Sequence, residues 1–139
     1  MFRQSRLLAA TIVAAIAFFT VPATSAAANP FFSGECLSAK ILRGKQGKFW
    51  LPFAPDSLTN CWLAYDVSKS TFGAETLQKS LGSINGIPQV GVDGYYGWET
   101  HNAVLKIQRM HRLPEDGEYG PRTRDAMWWR TLTGGKTKV

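Results

Sequence analysis

One phrase is written twice in this chain, and it limits the architecture more than any other feature. Residues 93–103 read Asp-Gly-Tyr-Tyr-Gly-Trp-Glu-Thr-His-Asn-Ala, and residues 116–126 read Asp-Gly-Glu-Tyr-Gly-Pro-Arg-Thr-Arg-Asp-Ala. Aspartate, both glycines, tyrosine, threonine and alanine recur at the same offsets, 23 residues apart. That length holds one turn and one helix, so the phrase reads as a supersecondary unit used twice. Asp93-Gly94 and Asp116-Gly117 are turn signals, the aspartate bonding its own downstream amides while glycine accepts a positive φ. Gly97 and Gly120 give a second permissive point where a helix must start. Thr100 and Thr123 sit in the first helical turn, within reach of the loop backbone. Turn chemistry therefore accounts for these eight residues before any ligand contact is invoked.

Helical periodicity surrounds the repeats. Ser70 or Thr71 can cap a helix over about residues 73–83, with Ala74, Leu77, Leu81 and Ile84 on one face. Asn85-Gly86 and Pro88 stop it. Ala103, Val104, Ile107 and Met110 trace a second helix over about residues 98–111. Gly120-Pro121 opens a third, with proline at an early position, expected to run to about Leu132 and end at Gly134-Gly135. The spacing predicts an all-α fold, a small three-helix bundle over residues 71–133 with a frayed basic tail at 134–139.

Residues 29–70 show no helical period, but carry Phe31, Phe32, Phe49, Trp50, Phe53 and Trp62 among glycines and prolines. They read as a mostly irregular arm laid against the bundle. Lys40, Arg43, Lys45 and Lys48 within it read as a solvated loop, with an anion contact as the lesser reading.

Residues 1–28 read as a signal peptide: Arg3 and Arg6, an apolar stretch from Leu7 to Val21, then Pro22 and the small residues Ala23–Ala28. The apolar stretch is short for a span, so cleavage between Ala26 and Ala28 and no stable membrane insertion are expected. Removing that segment lowers the net charge from +6 to +4. Such a mild bias suits weak attraction to anionic wall polymers or membranes and falls short of a nucleic-acid signature. Two cysteines in an exported chain make a Cys36–Cys61 disulfide the default, stapling the arm; a catalytic thiol with His101 or His111 is the rival.

Together these residues resemble the peptidoglycan-binding domain type 1 family. The resemblance covers about residues 72–132 and rests on Leu77-Gln78, Ile107-Gln108 and the two Asp-Gly-x-Tyr-Gly-x-x-Thr-x-x-Ala phrases. It implies a three-helix fold, secretion to the cell wall or medium, and a non-catalytic hold on peptidoglycan, through glycan or stem peptide. A wall hydrolase is a further implied partner. Arg130 departs from the pattern, where a large apolar residue is expected.

Among ligand-contact candidates, Tyr95 and Trp98 stand first, because the second copy has no aromatic at their positions. Amphipathic rings suit sugar faces. Tyr96 and Tyr119 occupy matched positions and read as packed anchors that could also touch ligand. Arg122 and Arg124 are suited to stem carboxylates or wall phosphates. The adjacent Trp128 and Trp129 read as one core residue and one lid. No cofactor and no metal are expected: zinc hydrolysis needs three ligands, and two histidines ten residues apart do not supply them. A small peptidoglycan hydrolase and a protein-binding adaptor or inhibitor on the same fold are the alternatives.

Overall fold

The computed structural model describes residues 34–55 and 59–139. The expected signal segment, and Phe31 and Phe32, lie outside them. Among the described residues there are three helices: α1 (Phe72–Ile84), α2 (Trp98–Met110) and α3 (Pro121–Ala126). Six strands accompany them: β1 (Ser38–Gly44), β2 (Gly47–Phe53), β3 (Asp66–Ser70), β4 (Tyr95–Tyr96), β5 (Trp129–Arg130) and β6 (Lys136–Thr137). They pair antiparallel as β1–β2, β3–β4 and β5–β6. The fold is therefore mixed α and β, which corrects the expectation of an all-α three-helix bundle.

Three local events produce the difference. The arm folds into a hairpin across Lys45-Gln46, with Gly44 opposite Gly47 at a φ of 136°. Phe49 and Leu51 point inward and are fully buried, whereas Trp50 between them points out. The described arm is thus regular, not irregular as expected.

Second, α3 ends at Ala126, well short of Leu132. Met127 turns to an extended backbone, and the side chain of Asn85 then grips Trp128. Its Nδ2 donates to the Trp128 carbonyl at 2.7 Å, and its Oδ1 accepts from the Trp128 amide at 2.9 Å. The Ser80 hydroxyl accepts from the Arg130 amide at 3.2 Å. Side chains of α1 thereby stand in for a neighbouring strand and hold residues 128–130 extended. Trp129 is fully buried against Phe49 and Tyr119, at ring separations of 6.4 and 6.0 Å, while Trp128 is half-buried.

Third, the tail turns back at Gly134, whose amide donates to the Thr131 carbonyl, and returns as β6. Lys136 and Lys138 both lie over the Trp128 ring, and Lys138 donates to the Ala126 carbonyl. Thr137 is completely buried, so the tail is not frayed.

One hydrophobic core serves arm, repeats and tail alike. It joins Cys36, Phe49, Leu51 and Leu63 to Leu77, Leu81, Val104, Ile107, Tyr119 and Trp129. Cys36 and Cys61 form the disulfide, with Cα atoms 5.1 Å apart and both residues fully buried. Gly73, the second residue of α1, lies directly on the arm: a Cβ there would meet the Cys36 carbonyl oxygen at 1.8 Å. Thr71 caps α1 by accepting from the Ala74 amide at 3.0 Å.

Candidate functional site

Each copy of the repeated phrase closes around a buried glutamine. Gln78 of α1 donates from Nε2 to Asp93 Oδ1, the Tyr95 carbonyl and Thr100 Oγ1, at 2.9, 2.9 and 3.0 Å. Its Oε1 accepts from the amides of Asp93 and Gly94 at 3.1 and 2.9 Å. Gln108 of α2 repeats this on the second turn. Its Nε2 donates to Asp116 Oδ1, the Glu118 carbonyl and Thr123 Oγ1, at 2.6, 3.0 and 3.4 Å, and its Oε1 accepts from the Gly117 amide at 2.9 Å. In both, the aspartate also accepts from the amide two residues on. The eight turn residues thus lie in two matched clasps, with Thr100 and Thr123 buried beside their glutamines. Gly94 and Gly117 have φ of 78° and 69°, which favours glycine at both.

The matched tyrosines are both in the core. Tyr96 is buried and donates to the Gly117 carbonyl at 2.8 Å, tying the first copy to the turn of the second. Burial pushes its phenol well above the usual range, with Asp116 adding to the effect. Tyr119 is fully buried, its hydroxyl without a hydrogen-bond partner among the described residues, and burial likewise raises its phenol. Both copies also pair with one stretch of the arm. Leu63 exchanges backbone bonds with Tyr119, Asp66 pairs with Tyr96, and Ser70 with Tyr95.

The copies part company at their outer positions. Trp98 opens α2 and is 64% exposed; its ring stacks on His101 at 5.0 Å and 6°. Tyr65, from the arm, stands edge-on to Trp98 at 6.1 Å and is 55% exposed. Val67 lies against Gly97, and Tyr95 of β4 is 42% exposed. The beginning of the first copy is therefore an aromatic ridge built jointly by repeat and arm. Gly117 fits beneath the His101 ring, where a Cβ would come within 2.1 Å of Cε1. His101 Nδ1 is buried without a hydrogen-bond partner among the described residues. The sequence offers His101 as a base for a thiol or as one of too few zinc ligands, and gives no sign of Tyr65 or Val67. No period or spacing connects the arm to the repeat, so nothing in the sequence announced them.

In the second copy Pro121 and Arg124 stand where Trp98 and His101 stand in the first. Arg124 reaches the arm instead of solvent, donating to the Thr59 carbonyl, Thr59 Oγ1 and Asn60 Oδ1 at 2.9, 3.1 and 3.3 Å. Arg122 is exposed. Glu118 holds its proton above the usual carboxylate range, from burial and then the neighbouring Asp116 charge. A shallow cleft of about 180 Å³ lies beside the first copy, between Ile87–Val90 and the α2 residues Glu99, Asn102 and Lys106. Among the described residues no cysteine is free, and no three His, Cys, Asp or Glu side chains are grouped to hold a metal. The thiol nucleophile is thereby excluded, since Cys36 and Cys61 are consumed by the disulfide.

The clasped repeat has known counterparts. Residues 73–127 match the family described as "Putative peptidoglycan binding domain". Those residues belong to that family. The matched segment thus begins inside α1 and ends at Met127, after both clasps and before β5. Two curated relatives come from Bacillus licheniformis. A "Probable N-acetylmuramoyl-L-alanine amidase" is 54% identical over 37 residues, covering 27% of this chain and 10% of the relative. "N-acetylmuramoyl-L-alanine amidase CwlL" is 40% identical over 57 residues, covering 37% of this chain and 16% of the relative. The chain spans only that small share of either relative's length. No solved structure matches the chain. The hairpin, the rest of the arm and β5–β6 lie outside the matched peptidoglycan-binding domain.

Proposed function

We propose that this chain is an exported, non-catalytic wall protein that holds peptidoglycan through the aromatic ridge of its first repeat. The observation that carries the reading is the family match over residues 73–127, in which both clasps lie. Trp98 and Tyr95, with Tyr65 from the arm, offer amphipathic rings to the apolar faces of the sugars. Arg122, exposed at the start of α3, is suited to stem-peptide carboxylates. Tyr96 and Tyr119 act from beneath, as anchors of the turns, and Arg124 is engaged by the arm. Residues 1–28 serve as the export signal, and the buried disulfide fits an oxidising compartment. The relatives named as amidases are covered over a small share of their length, so the reading borrows the wall and not the hydrolysis. A wall hydrolase is the partner such an anchor would serve.

The test is co-sedimentation of the full chain with purified insoluble peptidoglycan, beside a basic protein of matched charge. Retention above that control is expected, with Trp98→Ala weakening it roughly fivefold, about the 1 kcal/mol of one aromatic contact. Retention no better than the control overturns the reading. Release of soluble muropeptides by the pure chain overturns its non-catalytic part.

A further inference from the structure

The second exposed surface is made by strands outside the matched family segment. Phe49 and Thr131 form an antiparallel bridge, and the Leu132 amide donates to the Lys48 carbonyl at 2.8 Å. That single bridge sets the two-stranded sheet β5–β6 alongside β2 of the two-stranded sheet β1–β2. Side chains alternate between faces along a strand and share a face across a register pair. Leu42, Phe49, Leu51, Trp129, Thr131 and Thr137 therefore face the core. The opposite face carries Ile41 beside Trp50 and Arg43 beside Lys48, followed by Arg130 beside Lys136, and Leu132.

The charges on this face are arranged against the stability of the sheet. Arg43 lies directly opposite Lys48, and Arg130 directly opposite Lys136. Like charges in register oppose pairing. No Asp or Glu occurs within residues 37–55 or 126–139. Among the described residues none of the four cations is in an ion pair; the ion pairs use Lys69, Lys79, Arg109 and Arg124. Between the cations stand three large apolar side chains, Ile41, Trp50 and Leu132, at 45%, 36% and 51% exposure. Phe72, also exposed, packs edge-on against Trp50 at 5.3 Å.

We propose that this outer face docks on the surface of an anionic lipid bilayer. Cations are drawn to acidic headgroups, tryptophan settles at the interface, and aliphatic side chains enter the acyl boundary. A soluble polyanion would use the four cations but leave Ile41 and Leu132 in water. A second copy of the chain would set cations against cations across a two-fold. The face shares no residue with the aromatic ridge, so lipid and wall contacts are separate functions of one chain.

The test measures binding of the full chain to vesicles of phosphatidylglycerol with phosphatidylcholine, and of phosphatidylcholine alone. The readout is the ratio of the two affinities. An apolar N-terminal segment, common to every variant, affects all of them equally. The chain is expected to prefer anionic vesicles, with the preference fading as salt rises. Lys48→Glu with Arg130→Glu should lower that ratio at least about twentyfold, near fivefold for each cation lost at the surface. Each of these substitutions also replaces a like-charge pair with an opposite one, so the melting temperature should hold or rise. Loss of binding cannot then be loss of fold. Ile41→Ser with Leu132→Ser should weaken binding to anionic vesicles while leaving its salt dependence. Equal affinity for the two vesicle types, or a ratio unmoved by the charge reversals, overturns the proposal. Binding of inorganic polyphosphate as tight as vesicle binding, with the serine variant unaffected, overturns it in favour of a soluble polyanion. A concentration-dependent dimer broken by the serine variant overturns it in favour of self-association. Peptidoglycan retention of the serine variant should stay at the wild-type level, and that of the charge-reversed variant should stay above a control protein of its own charge, which keeps failure here distinct from failure of the wall reading.

Discussion

Gln78 and Gln108 each spend both ends of a buried amide on a turn that carries an aspartate. A carboxamide carries two donors on its nitrogen and two acceptor lone pairs on its oxygen, so it can donate to the carboxylate and accept from the turn's backbone at once. Replacing Gln78 with alanine strands the Gly94 amide and removes the donors held by Asp93 and Thr100. We expect Gln78→Ala to cost about 3 kcal/mol, the scale of a buried network left half-satisfied. The midpoint of urea unfolding measures it, and a loss under about 1 kcal/mol would contradict the clasp. Both glutamines fall in register with the resemblance, but their role could not be read from the repeated phrase. Gln78 lies 15 residues before its aspartate and Gln108 lies 8 before its own. The chain reaches the same contact by two different routes, and a fixed-offset pattern does not record that.

At the scale of elements, the helices were legible and the strands were not, for one physical reason. α1 and α2 each bury a single stripe and expose polar residues elsewhere, so their period of about 3.6 stands out. β1 and β2 also bury one face, but Ile41 and Trp50 make the other face apolar as well. The alternation that would mark a strand is therefore erased in Phe49-Trp50-Leu51. The early end of α3 was hidden differently: the groups that extend residues 128–130 are Asn85 and Ser80, more than forty positions upstream. Asn85 had been read only as a helix stop. Asn85→Ala should cost about 2 kcal/mol, since the amide and carbonyl of Trp128 both lose their partner. Faster hydrogen exchange at Trp128 and Arg130, with α2 unchanged, would locate the effect. Unaltered exchange there would show that the buried Trp129 ring alone holds the strand.

For the whole molecule, the disulfide closes a sequence separation of 25 residues around much of the arm. On the chain-entropy account a loop of that size contributes about 3.5 kcal/mol by restricting the unfolded chain. The double replacement Cys36→Ser with Cys61→Ser should lower stability by about that amount, read as a shift in the urea midpoint. Reductant should then have no further effect on the variant. A variant as stable as the wild type would mean that backbone pairing alone secures the arm. The pairing expected of two cysteines behind a signal-like segment anticipated this bond, whereas the shared core did not follow from a reading that kept arm and bundle apart. Aromatic residues scattered among glycines carry no address, and only the fold shows that Phe49 meets Trp129.

Gly73 bears on how the unit can be cut and moved. A glycine placed so that even a methyl group would strike Cys36 records a contact between α1 and a segment outside the family match. The backbone partners of Tyr95, Tyr96 and Tyr119 come from that segment too. A graft that begins at residue 73 would carry both glutamine clasps, but would leave three strand edges and a third of the core open to the next chain it meets. The smallest portion fit for transplantation into another protein begins no later than Gly34 and includes Thr137.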